Sequence, residues 1–262
     1  MRSKEFNSED WALMLNGKGS FLARTHRLFG RLPSDPRCKL CHAPYGGPVG
    51  SIMTMLGFGK YPGNPQLCNA CFRSSAEHPG GAEIELTVLF ADVRGSTALA
   101  ETMPPAEFSR LLNAYYRVAT DAIREPGGLI DKLMGDGVMA LFITGFTGGD
   151  HAAKAVAAAR RILREVELPV GAGVHTGIAW VGFVGGGEDV VDFTALGDAV
   201  NTASRLGSEA DTGELLLSDA TVRAAGIATD DLSARRVELR GRAEPLDTWS
   251  ERVLAAGSPS AT

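Results

Sequence analysis

The stretch VLFADVRGST, from Val88 to Thr97, reads as a buried strand that ends in a carboxylate, Asp92, and turns through Gly95 into a helix opening at Ser96 and Thr97. A continuous apolar run of this length, closed by a Gly turn, fits a strand. The turn leaves the first backbone N–H groups of the helix free beside Asp92. A cation on the carboxylate and phosphate oxygens on those amides can then sit side by side. Taken alone, the segment also fits an Asp that only caps the helix.

Two further segments extend this reading. DKLMGDGVMALF (Asp131–Phe142) predicts a hairpin whose apolar arms, Leu129–Leu133 and Val138–Phe142, flank the turn Gly135-Asp136-Gly137 and fix the Asp136 carboxylate at its tip. DFTALGDAVNTASRL (Asp192–Leu206) predicts a strand, a Gly turn and a helix on which Asn201 and Arg205, four residues apart, share one face. Around them the spacing predicts helices over 107–124, 151–166 and 199–207. Strands are predicted over 86–91, over 170–184 as one or two, and over 190–195, 214–218 and 236–239, with a turn at Gly185-Gly186-Gly187. Hairpins mixed with crossovers favour an α+β sheet with helices on its faces over a doubly wound parallel sheet.

Taken together, the three segments resemble the class III adenylate and guanylate cyclases over residues 84–252. The resemblance implies a ferredoxin-like palm with helices around a mixed, mainly antiparallel sheet, working as a head-to-tail homodimer with active sites shared between subunits. It implies that Asp92, Asp136 and the carbonyl of Val93 hold two Mg²⁺ or Mn²⁺ ions. Lys132 and Thr194 correspond to the purine-selecting pair, Asn201 to the residue that positions the ribose, and Arg205 to the one that stabilises the transition state. Gly95, Ser96 and Thr97 fall in the phosphate-facing helix opening, and Arg240 stands where a lysine commonly meets the terminal phosphates.

The implied activity is conversion of ATP to 3′,5′-cyclic AMP and pyrophosphate. Lys132, a donor only, suits the N1 acceptor of adenine and opposes the N1–H of guanine. Thr194 replaces the aspartate of many relatives and can donate as well as accept, which leaves use of GTP open. Ser96 stands where many relatives have phenylalanine. A nucleotide-binding regulator with a cyclase fold is the non-enzymatic alternative, against which the full set of site residues counts.

All four cysteines fall in two Cys-x-x-Cys pairs, Cys38/Cys41 and Cys68/Cys71, within a Gly- and Pro-rich stretch from 32 to 81 that lacks apolar periodicity and needs a staple to be ordered. Four thiolates can hold one tetrahedral Zn²⁺ or an iron–sulfur cluster, and both remain open from the spacing. Cys38-Lys39-Leu40-Cys41-His42 also matches the c-type haem pattern, which belongs to exported proteins. The expected organisation is a helical segment over 1–31, a four-cysteine metal module over 32–81, a linker at His78–Glu83, a catalytic domain over 84–252 and a tail over 253–262.

The chain has 262 residues, is 44% hydrophobic and 22% charged, and has a net charge of -5, the profile of a globular protein with a core. Mild acidity argues against nonspecific binding to nucleic acid or to an anionic membrane. The absence of a signal-like opening and of a long apolar run leads to the expectation of a cytoplasmic protein.

Overall fold

The computed structural model describes residues 7–33, 35–77, 80–185, 191–238 and 245–253. Among these, no helix is long and apolar enough to cross a membrane. The contacts divide the chain into two compact units. The larger comprises Glu85–Ile143, Gly149–Ala179 and Leu196–Thr262, and the smaller Met1–Ile84, Thr144–Gly148 and Trp180–Ala195.

The sheet contains β1 (Gly81–Val93), β2 (Leu129–Met134), β3 (Gly137–Ile143), β4 (Val170–Gly185), β5 (Val191–Leu196), β6 (Glu214–Ser218), β7 (Ser233–Val237) and β8 (Leu246–Arg252). The order is β2-β3-β1-β4-β6-β8-β7, with β5 paired to β4. β1–β3, β2–β3, β6–β8 and β7–β8 are antiparallel, and β4–β6 is parallel. This mixed, mainly antiparallel sheet is the palm expected from the sequence.

In the larger unit, strand alternation sorts the core. Leu89, Ala91 and Val93 of β1, Val138, Ala140 and Phe142 of β3, and Leu215 and Leu217 of β6 turn to one face. There they meet α6 (Pro105–Arg124) through Tyr115, Ala119, Ala122 and Ile123, and α8 (His151–Glu165) through Ala155, Val156, Ala159 and Ile162. Both runs repeat at helical spacing, and the alanines of α8 let it lie close to the sheet. α6 starts with Pro at its first position, where a missing N–H costs nothing, and stops where Gly127, at φ 99°, turns the chain.

On the other face, Leu216 packs with Leu206 and Ala210 at the end of α9 (Asp198–Glu209) and with Val237. Two glycines permit this approach. A Cβ on Gly207 would lie 2.8 Å from the Cβ of Phe90, and one on Gly173 would lie 2.2 Å from the backbone nitrogen of Gly207. α9 therefore rests almost backbone to backbone on β4.

A buried polar chain runs through the same unit. The Thr87 hydroxyl lies 2.9 Å from Nδ1 of His151 and 2.8 Å from the Thr176 hydroxyl, which donates to Thr221 at 3.2 Å. Thr221 donates in turn to the Val174 carbonyl at 3.2 Å. His151 is 6% exposed, and burial holds its imidazole below the usual histidine range.

The smaller unit contains α1 (Ser8–Leu15), α2 (Ser20–Phe29), α3 (Gly47–Met53), a π-helical turn (Thr54–Phe58), α4 (Asn69–Glu77) and α7 (Thr144–Thr147). α1 opens with a capping box. The Asn7 side chain accepts from the Asp10 N–H at 2.8 Å, and Asp10 answers on the Asn7 N–H. Trp11, Met14 and Leu15 are buried, and Trp11 meets Phe183 of β4 with ring centroids 5.9 Å apart.

Several elements differ from the sequence expectation. The stretch expected as a linker opens β1 at Gly81, because Gly80 accepts from the Phe183 N–H at 2.9 Å and Gly81 and Gly182 face each other too closely for any side chain. Residues 170–185 form one strand, β7 lies three residues earlier than expected, and α10 (Asp219–Ala225) and β8 were not expected. The 32–81 stretch buries Leu40, Ala43, Met53, Leu67 and Phe72 despite its composition. The Gly186-Gly187 part of the expected turn and residues 254–262 of the expected tail lie outside the described residues.

Candidate active site

β1 and β3 pair in a register that sets Asp92 opposite Gly137, so the turn residue Asp136 falls beside it. The Val93 N–H donates to the Asp136 carbonyl at 3.1 Å, tying the end of one strand to the hairpin tip. The tip is tight. Gly135 has φ 68°, a conformation that L side chains rarely adopt, and the Asp136 N–H donates to the Met134 carbonyl at 2.7 Å. Gly137 leaves room for the carboxylate, since a Cβ there would lie 3.0 Å from Oδ1 of Asp92 and 3.3 Å from the Ala91 carbonyl oxygen.

The two residues are thereby set side by side, and Asp92 is pushed above the usual carboxylate range, first by burial and then by the charge of Asp136. Arg94 opposes this. Its Nη2 donates to Oδ2 of Asp92 at 2.6 Å, and its Nη1 donates to the Ser208 carbonyl at the end of α9 at 2.7 Å. α6 clamps the site from behind, with Tyr115 donating to the Ala91 carbonyl at 2.8 Å and Tyr116 to the Gly135 carbonyl at 2.7 Å. Burial and the nearby aspartates raise both phenols, which remain donors.

Crowded carboxylates with carbonyl oxygens nearby form an all-oxygen, anionic donor set. Hard divalent cations such as Mg²⁺ or Mn²⁺ fit it, and each would relieve the repulsion that raises Asp92. Immediately downstream, Gly95 takes φ 64° and opens α5 (Ser96–Thr102), with Ser96 half-buried and Thr97 exposed. A Cβ on Gly95 would meet nothing within 4 Å, so the constraint on it is conformational.

Lys132 sits on β2 just after a bulge between Ile130 and Lys132, its Nζ 3.3 Å from Oδ2 of a solvent-shielded Asp131. Asn201 is exposed and Arg205 half-buried on the outer side of α9, whose inner side is Ala199, Thr202, Ala203 and Leu206. Among the described residues, no hydrogen bond or ion pair joins Asn201 or Arg205 to Asp92 or Asp136. Thr194 lies on β5 and is 5% exposed. Arg240 lies outside the described residues.

Three positioning residues were missed from sequence. Tyr115 falls at an apolar position of its helical pattern, and neither Tyr116 nor Arg94 belongs to a motif of its own. The one available signal was an arginine two residues after the candidate metal carboxylate. A cavity of about 420 Å³ between α6 and the end of α8, lined by Leu111, Tyr115 and Leu168 among others, contains none of the candidate site residues. The carboxylate pair lies instead at the open end of the sheet.

A palm sheet with α6 and α8 on one face and α9 on the other is the fold of the nucleotide cyclases. Residues 82–250 match the adenylate and guanylate cyclase catalytic domain, and the chain belongs to that family. It is 39% identical over 135 residues to an adenylate cyclase of Anabaena cylindrica, covering 46% of this chain and 26% of that protein, so it spans about a quarter of that relative's length.

Among solved structures, a guanylyl cyclase matches with a TM-score of 0.60 and 32% identity, over 70% of this chain and 98% of that one. An adenylyl cyclase from P. aeruginosa matches with a TM-score of 0.58 and 29% identity, over 67% and 99%.

Proposed function

We propose that this chain is a class III nucleotide cyclase that converts ATP to 3′,5′-cyclic AMP and pyrophosphate. The observation that carries this reading is the enforced proximity of Asp92 and Asp136, with Asp92 held above its ordinary range by burial and by its neighbour. Titratable groups crowded together with a shifted pKa are a mark of functional sites. Two Mg²⁺ or Mn²⁺ ions held by Asp92, Asp136 and the Val93 carbonyl would supply acidification of the ribose 3′-hydroxyl and charge neutralisation of the leaving pyrophosphate.

The protein side chains supply orientation and fixed charge. Asn201 holds the ribose in line for attack on the α-phosphate. Arg205 meets the charge that develops on the α-phosphoryl oxygens, and the amides at Gly95, Ser96 and Thr97 together with Arg240 bind the outer phosphates. Lys132 offers a donor to adenine N1, and its pairing with buried Asp131 supports a fixed ammonium. Thr194 contributes the second base contact.

The relatives include cyclases named for either base, and a hydroxyl at 194 accepts as well as donates, so GTP is the second substrate to test.

Asn201 and Arg205 have no bond to the carboxylate pair of their own chain among the described residues, which supports completion of each site by a second subunit. Mixing Asp92→Ala chains with Asn201→Ala chains tests both parts. Each is inactive alone, and mixed dimers are expected to regain cyclase activity through one intact site. Mixed dimers without activity, beside an active native protein, would overturn the shared site; a native protein inactive on both ATP and GTP would overturn the cyclase reading.

A further inference from the structure

We propose that Cys38, Cys41, Cys68 and Cys71 bind one mononuclear zinc ion in a closed, structural site, and that the site is not an iron–sulfur cluster. The assignment stands independently of the cyclase reading. The four Sγ atoms all lie within 4.8 Å of one another, with Cys41 and Cys68 3.7 Å apart. Four sulfurs around a single zinc at its usual bond length of 2.3 Å form a tetrahedron with edges of about 3.8 Å. In a cluster, ligands on different irons are held apart by the irons and sulfides between them, at roughly 6 Å. The observed spread therefore leaves room for one ion and none for a cluster.

The backbone around the sulfurs is built for thiolates. The Cys68 N–H donates to Sγ of Cys38 at 3.3 Å, and the Cys71 N–H donates to Sγ of Cys68 at 3.4 Å. The first pair lies on a tight turn closed by the His42 N–H to the Cys38 carbonyl at 2.9 Å, with His42 at φ 65°. The second pair opens α4, where the Phe72 N–H donates to the Cys68 carbonyl at 2.9 Å. The Lys39 N–H reaches the Gln66 carbonyl at 2.9 Å and joins the two halves. Cys38, Cys41 and Cys68 are buried, and none of the four is in a disulfide. Haem attachment through Cys38 and Cys41 is incompatible with this convergence, because both sulfurs already face the second pair.

The metal also fixes an aromatic file within the smaller unit. Phe72, next to Cys71, stacks on Tyr61 at 3.6 Å and meets Phe183 edge-on at 5.9 Å. Phe183 touches Trp11 at 5.9 Å and Phe193 at 5.1 Å. Phe193 is the residue before Thr194. Loss of the ion is expected to loosen α4 and to register in the fluorescence of Trp11.

The test is metal analysis of the full chain purified without oxygen or chelator. One zinc per chain is expected, released in step with modification of four thiols, with no iron or acid-labile sulfide. Iron, with or without sulfide, or a folded chain with four free thiols and no metal, would overturn the proposal. Reconstitution with Co²⁺ should give tetrahedral d–d bands and thiolate charge-transfer bands. Cys71→His, which keeps a zinc-competent Cys₃His set, should still bind one ion with the bands moved to higher energy. A Cys71→His spectrum identical to the native one would show that Cys71 is not a ligand and would also overturn the proposal.

Discussion

Arg94 holds Asp92 with one guanidinium nitrogen, at 2.6 Å, while another reaches the Ser208 carbonyl at 2.7 Å. One side chain thus sets the orientation of the candidate metal carboxylate and ties it to the helix that carries Asn201 and Arg205. The resulting dependence is mechanical as well as electrostatic.

Arg94→Ala is expected to lower activity by about 10- to 100-fold, the usual scale for losing a residue that orients a metal ligand. Because Arg94 lowers the pKa of Asp92, its removal should also move the acid limb of the pH–activity profile to higher pH. Arg94→Lys should restore the position of that limb better than the rate, since an ammonium replaces the charge but not the fork. A pH profile of Arg94→Ala that overlays the native one would count against this role.

Asp92→Asn should separate stability from metal binding. The folded state holds the Asp92 proton more tightly than the unfolded chain does. Without metal, stability therefore falls as pH rises from the unfolded value near 3.9 through the raised folded value, and remains lower above it. Solvent reaches this carboxylate, so the expected gain for metal-free Asp92→Asn at neutral pH is small, about 1–2 °C in Tm. Mn²⁺ should raise the Tm of the native chain and leave the variant unmoved. Equal Mn²⁺ shifts in thermal melts of the two proteins would remove Asp92 from the metal site.

Gly207→Ala places a methyl 2.8 Å from the Cβ of Phe90, in a contact made by backbone-bound atoms that cannot rotate away. Overpacking of this kind costs about 1–3 kcal/mol. The strain displaces α9, so denaturant unfolding should show the loss of stability and kcat should fall with it. A variant with native stability and native kcat would show that α9 is not held by this contact.

His151 makes the protein sensitive to acid. Burial lowers its folded pKa, so its contribution to stability is complete above the unfolded value of about 6.5 and is lost as pH falls from there through the folded value. Unfolding free energies of His151→Gln should accordingly change less between pH 7 and pH 5 than those of the native chain. Parallel pH dependences would assign the acid sensitivity elsewhere.

Sequence carried the strands and turns that place the carboxylates, because VLFAD and the Gly135-Asp136-Gly137 turn combine an uninterrupted apolar pattern with unambiguous turn chemistry. It carried less where glycine serves packing. Gly80 and Gly81 resembled a linker because composition does not distinguish a flexible glycine from one that lets two strands touch. Gly173 and Gly207 were equally silent. α10 and β8 are short and take their order from long-range contacts, such as the ion pair of Arg160 with Glu251 at 2.8 Å. The Cys-x-x-Cys spacing signalled a metal, yet only the distances among the sulfurs discriminate one ion from a cluster.

Product identification tests whether the Asp92–Asp136 pair serves nucleotide cyclisation. Purified protein is incubated with Mn²⁺ and ATP or GTP, beside Asp92→Ala. Equal amounts of 3′,5′-cyclic AMP and pyrophosphate are expected from ATP, less product from GTP, and a drop of at least about 10²–10³-fold in the variant. No cyclic nucleotide from either substrate, or an Asp92→Ala chain as active as the native one, would contradict that role.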